Sequence, residues 1–282
     1  MLMREMPELF DADLLALRRA RADGADFLRE AVAREVTDRL IEVNRTFQTP
    51  AIVGPRGEVQ AGAMRAAGMA APLLRPDATV LDLAEGAHDL VIHALSLHWA
   101  NDPVGQMVQV RLALRPDGLF IGTMFGGETL HELRGALATA EVEILGGLSP
   151  RVAPMGEIRD LGGLLQRAGF ALPVADAERF DVTYASPLDL MRDLRAMGET
   201  NVMRARLTRP MRRDMLARAC EVYAERFALP DGRIPATFQV LFLTGWAPAP
   251  TQQQPLRPGS AKARLADALG VPERGAGEKA GR

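Results

Sequence analysis

Apolar residues recur at helical spacing near the N-terminus of the chain. Leu28, Val32, Val36 and Leu40 follow one another four positions apart, so they form one face of an amphipathic helix. A shorter basic helix is predicted before Gly24, because glycine interrupts the pattern there. Such a helix buries its apolar face against a core, and the rest of the chain is expected to supply that core.

Short apolar runs bounded by turn residues predict β-strands in the part of the chain that follows. The predicted strands cover residues 50–53, 78–83, 88–94, 119–124 and 237–244, and residues 170–184 contain further extended segments. Helical patterns separate them at residues 58–69, 102–114, 158–168, 188–197 and 212–227. Strands that alternate with helices favour a largely parallel sheet covered on both faces. The sequence therefore predicts an α/β fold.

The same patterns divide the chain into three parts. Residues 1–46 are predicted to form N-terminal helices, and residues 47–247 the α/β domain. Residues 248–282 are rich in Pro, Gln, Gly and Ala, a composition that predicts a flexible tail with a short helix at 261–269.

Composition narrows the functional classes. The 282 residues carry a net charge of −2, which gives no electrostatic attraction to nucleic acid or to an anionic membrane. No apolar run reaches the roughly eighteen residues of a membrane span. The single cysteine, Cys220, favours a reducing compartment. The acidic N-terminus, with Glu5 and Glu8, is unlike a targeting peptide, so a cytoplasmic bacterial protein is expected.

Ligands of parallel sheets bind beyond the carboxyl ends of the strands, and three segments lie at such ends. The first is the turn from Gly54 to Gly57, where glycine lets the backbone approach a ligand closely. An ordinary strand-to-helix turn explains it equally well. The second holds His98 and Trp99, which suit proton transfer and stacking on a ligand. A core tryptophan beside a hydrogen-bonded histidine is the alternative that spacing alone favours.

The third segment holds Gly126, Gly127, Glu128 and Thr129 at a strand-to-helix junction. Its glycines permit close approach, whereas Glu128 or Thr129 also serves as an ordinary helix cap. The histidines stand at positions 88, 93, 98 and 131, without the spacing of a metal site, so no metal is predicted.

Several of these segments resemble one known family. The matching runs include Leu-Ser-Leu-His-Trp at 95–99 and Met-Phe-Gly-Gly-Glu-Thr-Leu at 124–130, and they continue at 10–11, 89–92, 114–118, 160–162, 167–170, 197–201, 235–238 and 258–261. The chain is similar to the methyltransferase-like arginine hydroxylases that help assemble respiratory complex I. A more distant resemblance is to the malonyl-acyl-carrier-protein methyltransferases of biotin synthesis.

The resemblance implies a seven-stranded, Rossmann-like class I methyltransferase fold that binds S-adenosyl-L-methionine. It also implies a protein substrate, expected in the peripheral arm of complex I. On this basis the cofactor-binding candidates are Val53, Gly54, Gly57, Asp82, Ala94 and Leu95. The substrate-facing candidates are His98, Trp99, Gly126, Gly127, Glu128 and Thr129. No residue is assigned a catalytic role.

One departure from the family pattern bears on the cofactor. The family's first strand ends in Leu-Asp-Leu-Gly-x-Gly-x-Gly, whereas this chain has Ile52 at the acidic position and Arg56 at the middle glycine. The stretch from there to Asp89 is also short, which leaves open whether the second βα unit is complete. A buried arginine repels the methionine sulfonium, so we expect either that Arg56 points outward or that cofactor binding is weak.

Three functions are therefore compared. The first is an enzyme that uses S-adenosyl-L-methionine to modify a protein side chain. The second is a non-catalytic assembly chaperone that has lost the cofactor. The third is a small-molecule or acyl-carrier-protein carboxyl methyltransferase. Whether the crevice beyond Val53 is open or filled by Arg56 separates the first two hypotheses.

Overall fold

The computed structural model describes residues 8–252. Eight α-helices lie in this part of the chain: α1 (Ala12–Ala20), α2 (Phe27–Glu42), α3 (Gly57–Ala66), α4 (Pro103–Ala113), α5 (His131–Leu145), α6 (Ile158–Arg167), α7 (Pro187–Ala196) and α8 (Arg213–Phe227). The strands are β1 (Pro50–Val53), β2 (Leu73–Arg75), β3 (His88–His93), β4 (Leu114–Phe125), β5 (Ala171–Tyr184) and β6 (Ile234–Trp246).

The six strands form one sheet in the order β2-β1-β3-β4-β6-β5. Strands β2, β1, β3 and β4 run parallel, and β6 runs antiparallel to both of its neighbours. Five strands therefore point the same way and one points back. The predicted, mostly parallel α/β fold is confirmed.

Alternating side chains of the central strands build two hydrophobic layers. In β3, Leu90 and Ile92 join a core that α2, α5 and α8 cover, and Val91 joins a second core that α4 and α6 cover. In β4, Ile121 and Phe120 divide in the same way. Successive strand residues point to opposite faces, so this alternation follows directly from two-sided burial.

The second βα unit is shorter than the resemblance implies. The sheet has six strands in the described residues instead of seven, and the edge strand is β2, which the sequence analysis missed. The predicted strand at 78–83 is wrong, because this segment lies on α4 and does not join the sheet. Gln109 accepts the Leu81 N–H at 2.8 Å and donates to the Thr79 carbonyl at 2.9 Å. Gln106 donates to the Ala78 carbonyl at 3.0 Å.

The N-terminal helices and the sheet belong to one compact unit that ends at Pro248. A second unit begins at Ala249, and its described residues, 249–252, form a turn. The predicted flexible tail and its helix at 261–269 otherwise lie outside the described residues. Within residues 8–252, no helix is both long enough and apolar enough to cross a membrane.

Replacing Gln109 with leucine tests how the segment at 78–83 is held. Gln109→Leu removes both hydrogen bonds to the backbone, so we expect the free energy of unfolding to fall by about 1 kcal/mol. Amide hydrogen exchange at Leu81 should become faster. Chemical denaturation and exchange measurements check these effects. Gln166→Leu, on an exposed face of α6, is the control, and equal effects of the two substitutions would contradict the assignment.

Candidate functional site

The carboxyl ends of β1 and β3 lie level with each other, and β4 continues to Phe125 beyond them. The sheet register pairs Val53 of β1 with His93 of β3, and His93 with Gly122 of β4. Ligands of parallel sheets bind beyond such an edge. Two cavities lie around the segments that leave these strands.

The first cavity is apolar and has a volume of about 230 Å³. Its walls come from the segments that follow β3 and β4, from α5 and α7, and from β6. The apolar lining includes Trp99, Phe125, Leu133, Met155, Met191 and Phe238, and the polar lining includes Thr129, Arg151, Arg195, Glu199, Thr200 and Asn201. Such a lining suits a long aliphatic side chain with a polar end.

The second cavity is polar and has a volume of about 370 Å³. It lies between α1, the segment after β2 and the start of α4. Its polar lining includes Arg19, Asp77, Thr79, Asp102, Gln106 and Gln109. Trp99 lines both cavities, so its indole belongs to the wall between them. Two adjoining cavities of different polarity can hold two different ligands.

A buried carboxylate joins the elements around the apolar cavity. Glu199 Oε1 accepts from Arg29 of α2 at 2.8 Å, and Oε2 accepts from the Trp99 indole N–H at 2.6 Å and from His98 at 3.1 Å. Burial alone would raise the pKa of Glu199, yet the pKa lies at about 2, because His98 and Arg29 donate to the carboxylate. Glu199 is therefore ionised at neutral pH.

His98 is a neutral hydrogen-bond relay between Glu199 and the backbone of β4. Burial lowers its pKa despite the nearby Glu199 carboxylate, so the ring is uncharged at neutral pH. Its Nε2 then donates to Glu199, and its Nδ1 faces the Phe125 N–H at 3.5 Å. The charge that balances Glu199 is that of Arg29. With both nitrogens directed at protein groups, His98 positions the carboxylate.

The glycine turn after β1 is closed on both sides. Gly54 has φ +140°, and a β-carbon there would lie 2.6 Å from the Ala94 carbonyl oxygen, so the segments after β1 and β3 are in contact. Arg56 ion-pairs with Asp26 at the start of α2. The segments after β1 and β3 therefore touch at Gly54, and Asp26 balances the Arg56 charge.

Asp77 is the acidic residue nearest the end of β2. It lies two positions after the strand, lines the polar cavity and receives both of its hydrogen bonds from Arg19 of α1, at 3.0 and 2.9 Å. The side chains of Asp77 and Arg19 are 13% and 15% exposed, so the pair is largely shielded from water. Arg19 thus donates to both oxygens of the Asp77 carboxylate, which faces this cavity.

Comparisons with known proteins find relatives in sequence. The chain is 38% identical over 263 residues to the mitochondrial arginine-hydroxylase NDUFAF5 of Danio rerio, covering 86% of this chain and 82% of that protein. The Homo sapiens protein of the same name is 36% identical over 280 residues, covering 90% and 81%. The chain belongs to the NDUFAF5 arginine-hydroxylase family.

More distant relatives differ in their named activity. The malonyl-[acyl-carrier protein] O-methyltransferase of Halorhodospira halophila is 35% identical and covers 63% of this chain and 58% of that protein. A solved 1,6-didemethyltoxoflavin-N1-methyltransferase of Burkholderia thailandensis superposes with a TM-score of 0.44 at 15% identity, covering 87% and 93% of the two chains. That structural likeness is too distant to support an inference. No protein-family profile matches the chain.

The family corrects the expected location. The NDUFAF5 relatives from Danio rerio, Homo sapiens and Dictyostelium discoideum are all named mitochondrial. A bacterial cytoplasmic location is therefore not supported, and the names point to the mitochondrion. The expectation rested on the acidic residues Glu5 and Glu8, which by themselves do not decide a location.

The cofactor-binding candidates of this NDUFAF5-family chain do not gather around one cavity. Val53 and Gly54 contact Ala94, whereas Gly57 faces Ile52 and Leu74 and the Leu95 N–H donates to Thr123. None of these five candidates lines either cavity. Asp82 lies on the surface and pairs with Arg75 at 2.9 Å. Its predicted strand is absent, so it has no strand end to occupy.

The substrate-facing candidates divide into two groups. Trp99 and Thr129 line the apolar cavity, and His98 lies behind it. Gly126 and Gly127 are needed by local packing, since a β-carbon on either would collide with Gln239 or Glu157. These two glycines do not line the apolar cavity, and Glu128 is exposed.

Sequence reasoning missed Glu199 and Asp77. Glu199 lies in the family-like run at 197–201, which was recognised as a motif without a role for any residue. Its function becomes visible only when Trp99 and Arg29, which are distant in sequence, are placed beside it. Asp77 was passed over because the preceding strand was placed too late in the chain.

Glu199→Gln should lower stability and change its dependence on pH. The substitution leaves Arg29 buried without its counter-ion, so the free energy of unfolding should fall by about 3 kcal/mol. In the unsubstituted protein, the contribution of Glu199 is complete above its unfolded pKa near 4.5 and is lost as the pH falls towards 2. The variant should lack this acid-dependent part. Urea denaturation at several pH values measures the free energy of unfolding and its pH dependence. Glu178→Gln, at an exposed position, is the control variant.

Proposed function

We propose that the protein binds an arginine side chain of a protein substrate in the apolar cavity and modifies it with S-adenosyl-L-methionine held in the polar cavity. The observation that supports this most strongly is the ionised Glu199 carboxylate in the wall of an otherwise apolar cavity. An arginine has matching parts, because its methylene stem is apolar and its guanidinium seeks a carboxylate.

Glu199 retains the capacity to accept a substrate. Among the described residues, its Oε1 accepts only from Arg29, and a carboxylate oxygen has room for two donors. Trp99 supplies the second element, because an indole beside a carboxylate attracts a guanidinium through its ring face. Arg151, the other charged group deep in the wall, is balanced by Glu141 at 2.7 Å. Glu199 thus keeps an acceptor position for an incoming guanidinium, although Arg29 already balances its charge.

The polar cavity fits the nucleoside part of S-adenosyl-L-methionine. Asp77 follows the second strand, where a carboxylate can accept from the two ribose hydroxyls, and Thr79 and Gln109 add polar groups. When bound, this cofactor supplies a sulfonium-activated methyl group. In the present arrangement Arg19 holds Asp77, so the ribose must compete with Arg19 for the carboxylate.

The relatives guide the choice of reaction and partner. NDUFAF5 proteins are named arginine hydroxylases, so we propose hydroxylation of an arginine in a peripheral-arm subunit of respiratory complex I. In this reaction one oxygen atom of O2 enters a C–H bond of the arginine and the other leaves as water, with two electrons and two protons taken from an external reductant. The methyl group of S-adenosyl-L-methionine is not transferred in hydroxylation, so the cofactor would be bound without being consumed. His98 is a positioning residue in this proposal, because both of its nitrogens face protein groups. It holds Glu199 in the orientation that receives the arginine.

A second candidate is an assembly chaperone that binds the same protein without a cofactor. The closed glycine turn and the Arg19–Asp77 pair favour it, because both occupy groups that a cofactor would use. The apolar cavity would then serve as the partner-binding surface alone. The two candidates differ in cofactor binding, which is directly measurable.

Titration calorimetry with S-adenosyl-L-methionine separates these candidates. We expect measurable binding, weaker by about tenfold in Asp77→Asn and tighter in Arg19→Gln, because the first removes the ribose acceptor and the second releases it. Arg192→Gln, in an exposed ion pair on α7, is the control. Absence of heat in both the unsubstituted protein and Arg19→Gln would favour the chaperone.

The reaction itself is tested by mass spectrometry. The protein is incubated in air with a reductant, S-adenosyl-L-methionine and an arginine-containing peptide from the proposed substrate class. Gain of one oxygen atom on the arginine is expected, and Trp99→Ala should abolish it, because that variant loses the ring that faces the guanidinium. Gain of a methyl group instead would place the protein with the methyltransferases.

A further inference from the structure

Four arginines surround the mouth of the apolar cavity. Arg195 lines the cavity itself, and a neighbouring depression of about 330 Å³ is lined by Arg18, Arg21, Arg195 and Thr200. A further depression of about 360 Å³ has Arg18 and Arg206 in its wall. These depressions share Arg18, so Arg18, Arg21, Arg195 and Arg206 form one continuous group, the arginine rim.

The positive charge of the arginine rim is largely unbalanced. Within residues 8–252, Arg206 has a carboxylate partner in Asp11 at 3.6 Å, and no ion pair forms at Arg18, Arg21 or Arg195. The pKa of Arg18 is lowered mainly by burial and further by the nearby Arg206 and Arg195, while Asp11 opposes the shift. The whole chain has a net charge of −2, so the positive charge of the rim is a local concentration and does not reflect the overall charge.

Two buried carboxylates of this region are paired with arginines outside the rim. Glu199, which lines the apolar cavity, pairs with Arg29, and Glu141 pairs with Arg151. The rim is nevertheless attached to the cavity by the backbone that follows Glu199. Arg18 donates to the Thr200 hydroxyl at 2.8 Å and to the Asn201 carbonyl at 2.5 Å. The Arg18 guanidinium is therefore held beside the segment that directly follows the buried Glu199.

We propose that the arginine rim binds acidic side chains that flank the target arginine in the substrate protein, an inference that rests on the proposed function. An isolated arginine approaching this mouth meets like charges and is repelled. Aspartate or glutamate on either side of the target reverses that effect, since each carboxylate pairs with a rim guanidinium. The rim therefore selects arginines in acidic sequence and rejects free arginine and basic segments.

Three fluorescent peptides of one length test the rim and the cavity separately. The first has an arginine flanked by acidic residues, the second has the same flanks around citrulline, and the third has the arginine flanked by the corresponding amides. Fluorescence anisotropy should show that the first binds at least about tenfold more tightly than either of the others. Added salt should weaken binding of the first peptide more than binding of the third.

The variant pair compares equal losses of charge. Arg21→Gln combined with Arg206→Gln removes two rim arginines that do not line the apolar cavity. It should reduce binding of the acidic peptide about tenfold and leave the amide-flanked peptide unaffected. Arg167→Gln combined with Arg226→Gln removes two exposed arginines at the ends of α6 and α8 and should change neither. Circular dichroism of both double variants verifies folding.

The outcomes separate the inference from the function on which it rests. Equal binding of the acid-flanked and amide-flanked arginine peptides would contradict the proposal that the rim binds acidic flanks. It would leave the proposal that the cavity binds arginine unaffected. Equal binding of the arginine and citrulline peptides would instead overturn the arginine cavity. Displacement of the acidic peptide by a single-stranded oligonucleotide of similar affinity would also overturn the inference, because the rim would then recognise phosphate.

Discussion

The candidate site depends on a single buried ion pair, that between Glu199 and Arg29. An ionised carboxylate without a partner is too costly to bury, and Arg29 of α2 supplies the compensating charge. The same carboxylate accepts from Trp99 and His98, which leave the sheet after β3. The Glu199 carboxylate thus joins α2, the segment after β3 and its own segment after α7. A small displacement of α2 would therefore also shift Trp99, which lines both cavities.

This arrangement explains why charge is distributed as it is. The wall of the apolar cavity holds the Glu199 carboxylate, whose charge Arg29 balances. An incoming guanidinium therefore gains hydrogen bonds there, and no unpaired negative charge attracts it from a distance. The mouth is cationic, so the same guanidinium is admitted only with compensating neighbours. Selection at the mouth and recognition at the base are therefore separate physical events, one long-range and one dependent on close contact.

The sequence predicted the fold much better than the site. Alternating strand patterns and helical spacing located most elements, because two-sided burial of β3 and β4 leaves a strong periodic signal. The exception was the run at 78–83, whose apolar residues look like a strand. Its backbone hydrogen bonds go to the side chains of Gln106 and Gln109 of α4. Two isolated glutamines produce no repeating pattern in the sequence that could reveal this contact. Glu199 escaped for a similar reason, since its partners lie about 100 and 170 residues away.

The short second βα unit also accounts for the position of Arg19. Strand β2 is followed by a segment without a helix, so α1 provides a wall of the polar cavity through Ala12 and Ala16. Arg19 extends from the end of the same helix and reaches Asp77. A partly shielded pair contributes little net free energy, because desolvation offsets most of its Coulomb attraction. A ribose diol that hydrogen-bonds to Asp77 would therefore need to offset only the small net free energy of the Arg19–Asp77 pair. This holds provided that the released Arg19 is hydrated again at the surface. With no helix between β2 and β3 in the described residues, α1 supplies both a wall of the cavity and the arginine that competes for Asp77.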